Sequence, residues 1–121
     1  MAVAAWYGFD LIGWRALEPP SSMTAAAAKC EVRLAWPEVP GASSYQVYRY
    51  ERVSKEDEAE LRGAGKDVRL GVPETETHLA RDLAAPAFLD TAAEPGKRYV
   101  YRIKAATKWS RSRLSREFEG P

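Results

Sequence analysis

The chain of 121 residues has no asparagine and only one glutamine (Gln46), one cysteine (Cys30) and one histidine (His78). Each scarcity removes a class of chemistry. Without asparagine there is no acceptor for N-glycosylation. A single cysteine rules out an internal disulfide and a thiolate metal cluster, so the fold must stand on packing alone. A single histidine excludes a His–His metal pair and a relay between two imidazoles, and His78, in "ETETHLA", reads as a surface residue on a loop. No stretch approaches the roughly 18 apolar residues that would span a bilayer. The opening "MAVAAWYGFDLIGWRALEPP" lacks a positively charged leader and is interrupted by Asp10, which makes it a poor Sec signal peptide. The segment "RGAGK" lacks the spacing and the following Ser or Thr of a phosphate-binding loop.

Charge is balanced but unevenly spread. The formal net charge of +1 argues against a dedicated nucleic-acid binder. Residues 1–30 sum to zero, residues 31–94 carry eight basic and thirteen acidic groups, and residues 95–121 carry eight basic and two acidic groups. Such polarity favours head-to-tail contacts between copies or with a partner, against the plainer reading of an uneven solvated surface. The acids Glu56, Asp57, Glu58 and Glu60 offer oxygens to a hard cation, but they lack the alternation of a calcium loop and read better as the start of a helix. No residue is assigned a catalytic, metal-binding or cofactor-binding role, no cofactor is expected, and the chain is not expected to be an enzyme. Twelve arginines against six lysines, with few thermolabile side chains, suit a thermostable protein; a GC-rich genome accounts for the same bias.

What is present is alternation. "CEVRLAW" puts Cys30, Val32, Leu34 and Trp36 on one face, with Cys30 as a small buried hydrophobe. "SYQVYRY" sets Tyr45, Val47 and Arg49 against Gln46, Tyr48 and Tyr50. "RYVYRIKA" sets Tyr99, Tyr101, Ile103 and Ala105 against Val100, Arg102 and Lys104. A period of two with aromatic and β-branched residues indicates antiparallel strands with one buried face. Shorter candidates are "SMTAAAA", "DVRLGV", "AFLDT" and "RLSREFE", which brings the count to seven and indicates a sandwich. Pro40-Gly41 and Pro95-Gly96 mark tight turns. Between strands, "SKEDEAELRGAG" carries a capping pattern at Ser54 and Asp57 and a stop at Gly63, so a short helix or a long polar loop is expected there.

Together these elements resemble a fibronectin type III domain over residues 19–119. The residues that carry the resemblance are "PPSSMTA", Trp36, the turn into "VPGASSYQVYR", and "EPGKRYVYRIKAA". The resemblance implies an all-β, seven-stranded antiparallel immunoglobulin-like sandwich at 19–121. An apolar N-terminal arm at 1–18 and a longer than usual insert at 51–75 would be added to it. It further implies that Trp36 is the core ring between the sheets, with Tyr45 beside the turn. Tyr99 would be the tyrosine corner, its hydroxyl bonded to backbone upstream. Tyr45, Val47, Tyr99 and Ile103 join Trp36 as expected core. The family usually has Leu two residues before the second Pro-Gly, where this chain has Ala93, and the family's Arg-Gly-Asp tripeptide is absent.

Two surfaces exceed what a minimal domain needs. The arm holds Trp6, Phe9 and Trp14, too apolar for a solvated tail; it either folds back on its own sandwich or docks into a neighbour. The second is the outer sheet face with Tyr48, Tyr50, Val100, Arg102 and Lys104, near the loop Lys108, Trp109, Arg111 and Arg113. Aromatics and arginines dominate interface energies. The expectation is a structural or adhesion module that assembles with other protein subunits, as a homo-oligomer or larger assembly. It would be similar to accessory proteins of tailed-phage or phage-like particles, placed on a virion or extracellular surface. A secreted carbohydrate- or cell-surface-binding module, with Trp109 as the sugar platform, is the alternative. A cytoplasmic adaptor gripping its partner with the basic strand face is the third reading. No nucleic acid and no membrane insertion are expected.

Overall fold

The structure is a computed structural model and describes residues 17–28, 30–63 and 69–121. Its strands, in chain order, are β1 (Thr24–Ala28), β2 (Glu31–Ala35), β3 (Ser44–Glu51), β4 (Thr77–Leu83), β5 (Ala87–Asp90), β6 (Tyr99–Ala106) and β7 (Phe118–Glu119). They form two antiparallel sheets, β1-β2-β5 and β4-β3-β6-β7. The inward face is the one that alternation dictates. Leu34, Trp36, Tyr45, Val47, Tyr99, Tyr101, Ile103 and Ala105 are buried together, completed by Val39 and Phe118. Trp36 meets Tyr45 edge-on at 5.5 Å between ring centroids.

The two Pro-Gly corners are built alike. Gly41 (φ +86°) and Gly96 (φ +82°) take the left-handed position that follows proline in a type II turn. The turns close through the Ala42 amide on Val39 O (3.0 Å) and the Lys97 amide on Glu94 O (3.2 Å). In each turn the amide just before the proline donates to a tyrosine hydroxyl that opens the next strand. Val39 N–H bonds Tyr45 Oη at 3.0 Å, and Glu94 N–H bonds Tyr99 Oη at 3.0 Å. The phenol rings are thus core ballast and turn clamps at once.

Several expectations are corrected. Cys30 is not a buried strand residue; it is exposed, in the β1–β2 turn, at φ +53°. "DVRLGV" contributes no strand among its described residues, only a bridge from Gly71 to Arg52. The seventh strand is instead β4, which carries His78 out of its expected loop. "RLSREFE" shrinks to the two-residue β7. Upstream of it the chain still hugs β6, because Ser112 and Ser115 hydroxyls accept the amides of Ala105 and Ile103 (2.9 Å each). Tyr50 and Val100 are not solvent-facing: they form a second core with Leu70.

That second core is covered by the insert. Its helix α1 (Lys55–Gly63) begins at Ser54, whose Oγ accepts the Asp57 amide at 3.1 Å. Acids fill the first turn and Arg62 the last, in keeping with the helix dipole. No residue of α1 is buried, so side-chain charge anchors it. Glu58 accepts hydrogen bonds from Arg52 (2.8 and 3.1 Å), Arg98 (3.0 Å) and Arg62 (3.2 Å). Desolvation pulls the Glu58 carboxyl upward, but the three guanidinium groups outweigh it and hold it at about 2. The folded value lies below the unfolded one. The stabilisation is therefore complete above pH 4.5 and fades as pH falls towards 2. Thermal midpoints of the wild type and Glu58→Gln should differ at pH 6, wild type higher, and converge near pH 2. An equal gap at both pH values would disprove the anchoring.

Candidate functional site

The loop between β6 and β7 forms one end of the sandwich. Thr107 N–H donates to Ser110 O at 2.7 Å, and Thr107 Oγ1 accepts the amides of Trp109 (3.2 Å) and Ser110 (2.9 Å). A hydroxyl that bonds amides two and three residues on imitates a backbone turn and fixes the tip. The tip presents Trp109, whose indole is 86% exposed, with Lys108 Nζ 5.1 Å from its ring centroid. Beneath lies an open groove of about 620 Å³ lined by Ser43, Ser44, Gln46, Asp82, Thr107 and Arg111.

The groove continues onto the outer face of the larger sheet. There Tyr48 stacks on His78 (4.3 Å, 14° between planes), donates its hydroxyl to Gln46 Oε1 (2.9 Å), and carries Lys104 Nζ 5.4 Å above its ring. Burial raises the Tyr48 phenol, with Glu76 adding and Arg111 and Arg81 opposing. Burial lowers the His78 imidazole, with Arg81 assisting. The aromatic pair is therefore uncharged near neutral pH and lies among the cations Arg81, Lys104 and Arg111, with Glu76 as the acid beside them.

The structure brings together Tyr48, Lys104, Trp109 and Arg111 of the expected site residues. Arg102 is half-buried, its Nε donating to Ser115 O at 2.7 Å, so it serves the fold as much as the surface. Arg113 points elsewhere and pairs with Glu18 at 3.3 Å. Tyr50 is withdrawn from the surface: its hydroxyl bonds Glu76 and its ring lies under Leu70, and burial followed by that bond raises its phenol to about 12. Trp6, Phe9 and Trp14 lie outside the described residues. Leu17, at the end of the arm, packs against the core, and its Cδ1 comes within 3.7 Å of where a Cβ on Gly41 would sit. Trp36, Tyr45, Val47, Tyr99 and Ile103 are all buried.

Sequence reasoning missed Gln46, His78, Arg81, Asp82 and the Thr107 clamp. Gln46 had a usable signal, since it shares the parity of Tyr48. The acids considered for a cation are otherwise engaged in the case of Glu58, and no group of three or more ligand-type residues gathers among the described residues.

No protein-family model matches this sequence, and no curated protein does. Solved structures match by shape. A Fn3-like protein from Clostridium thermocellum superposes with a TM-score of 0.65 at 22% identity, covering 88% of this chain and 94% of that one. The FN5 domain of Drosophila Lar gives 0.56 at 15% identity, covering 87% and 97%. Pectate lyase PelI from Erwinia chrysanthemi, solved in complex with tetragalacturonic acid, gives 0.56 at 14% identity, covering 81% of this chain but 27% of that one. At these identities the likeness is one of fold, and the fold is the fibronectin type III sandwich.

Proposed function

We propose that the protein is a non-catalytic binding module that assembles with other protein chains through the end bearing Trp109. The observation that carries this reading is the 86% exposed indole on a hydrogen-bonded tip. A large aromatic on a backbone already fixed by hydrogen bonds has only its side-chain rotamers left to order on burial, which suits an interface anchor. Cations around it add steering. The fold type is in wide use for protein interaction, although a shared fold alone fixes no function.

The finer reading is a structural subunit of a tailed-phage or phage-like particle. The apolar arm at 1–18 suits a subunit stitched into a larger assembly. Mass spectrometry of purified particles should then find the chain in stoichiometric amount.

The test of the binding end is Trp109→Ala in the full chain. Self-association or partner binding, followed by light scattering and isothermal titration, should weaken about tenfold or more, as for an interface anchor. The thermal midpoint should stay put, because the side chain leaves no core. Unchanged association would sink the assignment. A second reading, carbohydrate binding, draws on the hydroxyl- and amide-lined groove under the indole and on the pectate lyase among the structural neighbours. Oligogalacturonate binding that is lost in Trp109→Ala, in a chain that stays monomeric, would replace the protein-partner reading.

A further inference from the structure

We infer that the chain assembles head to tail: the end bearing Trp109 receives helix α1 of a second copy. This rests on the assembly reading above and names the occupant. Among the described residues three large apolar side chains are exposed, Leu61, Leu89 and Trp109. Leu89 lies on the outer face of the small sheet. The other two lie at opposite ends of the molecule. β3 and β6 fix this, because Ser44 pairs with Ala106 at the Trp109 end and Glu51 pairs with Tyr99 at the other. The Arg52 and Arg98 bonds to Glu58 hold α1 beyond that second end. Eight residues of β3 separate the two by about 24 Å.

Each end pairs its exposed apolar group with an excess of charge of one sign. At α1, exposed Glu56, Asp57 and Glu60 accompany Leu61, against one exposed Lys55 and against Arg62, which is engaged by Glu58. At the other end, Lys108 and Arg111 flank Trp109 and Lys104 follows behind, against Asp82 in the groove. An acidic helix with one leucine and a basic groove with one indole are complementary in sign and in kind. They cannot meet within one molecule, because the sheet holds them apart. Between molecules they can, and the contact is heterologous: it leaves a free helix at one end and a free indole at the other. It therefore builds a ring if the rotation closes and a filament if it does not. The patches are small, so affinity per contact is modest and salt-sensitive.

The experiment uses two full-length variants. Glu60→Gln/Leu61→Ser disables the helix end, and Trp109→Ser/Arg111→Gln disables the indole end. The changed side chains are exposed, and unchanged circular dichroism would confirm intact folds. By sedimentation at low salt the wild type should grow in mass with concentration, and each variant alone should raise the apparent dissociation constant about tenfold or more. Mixed one to one, the variants should form heterodimers that stop at two chains, because each supplies the end the other lacks. A mixture that stays monomeric would overturn the inference. Assembly that persists in both variants would overturn it together with the Trp109 end as the binding surface, whereas assembly lost only in Trp109→Ser/Arg111→Gln would overturn the helix as occupant and leave the assembly reading in place. A wild type that stays monomeric at every concentration would overturn the inference and leave the function to a different partner chain.

Discussion

Asp90→Ala should cost the domain about 3–5 kcal/mol, the scale for removing one partner of a buried ion pair. Asp90 is 1% exposed at the end of β5. Its two carboxylate oxygens each lie 3.0 Å from an Arg49 guanidinium nitrogen on β3; one also accepts the Tyr101 hydroxyl of β6 (2.8 Å), the other the Ala92 amide (3.1 Å). The guanidinium rests 4.7 Å from the centroid of the Tyr99 ring. One carboxylate thus ties the small sheet to the two central strands of the large one. Burial, then the bond to Asp90, raises the Tyr101 phenol, which keeps its proton and remains a donor. Truncation to alanine would leave a largely buried guanidinium and a fully buried phenol facing each other without the carboxylate that accepts from both. Domains of this size are stable by only about 5–15 kcal/mol, so the loss is a large share of the total. Urea unfolding followed by tryptophan fluorescence reads it directly. Replacing the whole network, as Arg49→Met/Asp90→Leu/Tyr101→Phe, should recover most of the loss, because apolar packing substitutes well for a satisfied buried pair. A loss under about 1 kcal/mol in Asp90→Ala would mean that the pair contributes little in solution.

This network also marks where the sequence was readable and was not fully read. Alternation placed Arg49 on the same face as Tyr45 and Val47, which turned out to be the buried one. An inward cation requires an inward acid, and Asp90 shares parity with Phe88 in "AFLDT". The pairing itself spans 41 residues of sequence and two sheets, so only the demand was local and the answer was not. The Pro-Gly corners were legible because only glycine takes that φ cheaply, and the signal sits in two adjacent letters.

Other elements were hidden by broken periodicity. β4 reads "THLARDL" with no clean alternation, because its register against β3 shifts twice and Asp82 sits at φ +53°. Each bulge slips the side-chain phase by one, so Leu79 and Ala80, though adjacent, both reach the core. Extending the β2 pattern back to Cys30 failed for a similar reason, since a tight turn with positive φ resets the phase. Of the site, the surplus of aromatics and arginines near 109 was visible in composition. Its rigidity was not, because that depends on where the Thr107 hydroxyl points.

The second core gives the other large effect. Tyr50 and Val100 are paired across β3 and β6, both apolar and both turned away from the main core. Such a pair calls for a cover, and the insert supplies it with Leu70 and Gly71. The Val53 amide bonds Leu70 O at 2.7 Å, and both oxygens of Glu117 accept the amides of Leu70 and Gly71 at 2.7 Å each. Gly71 fits because it has no side chain: a Cβ there would lie 2.8 Å from Tyr50 Cβ, 2.8 Å from Val100 Cγ2 and 2.9 Å from Glu117 Oε2. Tyr50 Cβ is fixed to a central strand and cannot yield, so Gly71→Ala must lift the cover. The expected cost is about 3 kcal/mol, at the upper end for overpacking because the charge-assisted bonds to Glu117 are strained as well. Hydrogen exchange at the Leu70 and Gly71 amides should accelerate more than exchange in β3. Val100→Ala removes the clashing methyl, so Gly71→Ala should cost less in that background than in the wild type, a coupling that a double-mutant cycle measures. If the two losses simply add, Gly71 does not press on Val100, and the cover rests on the sheet by some contact other than this one.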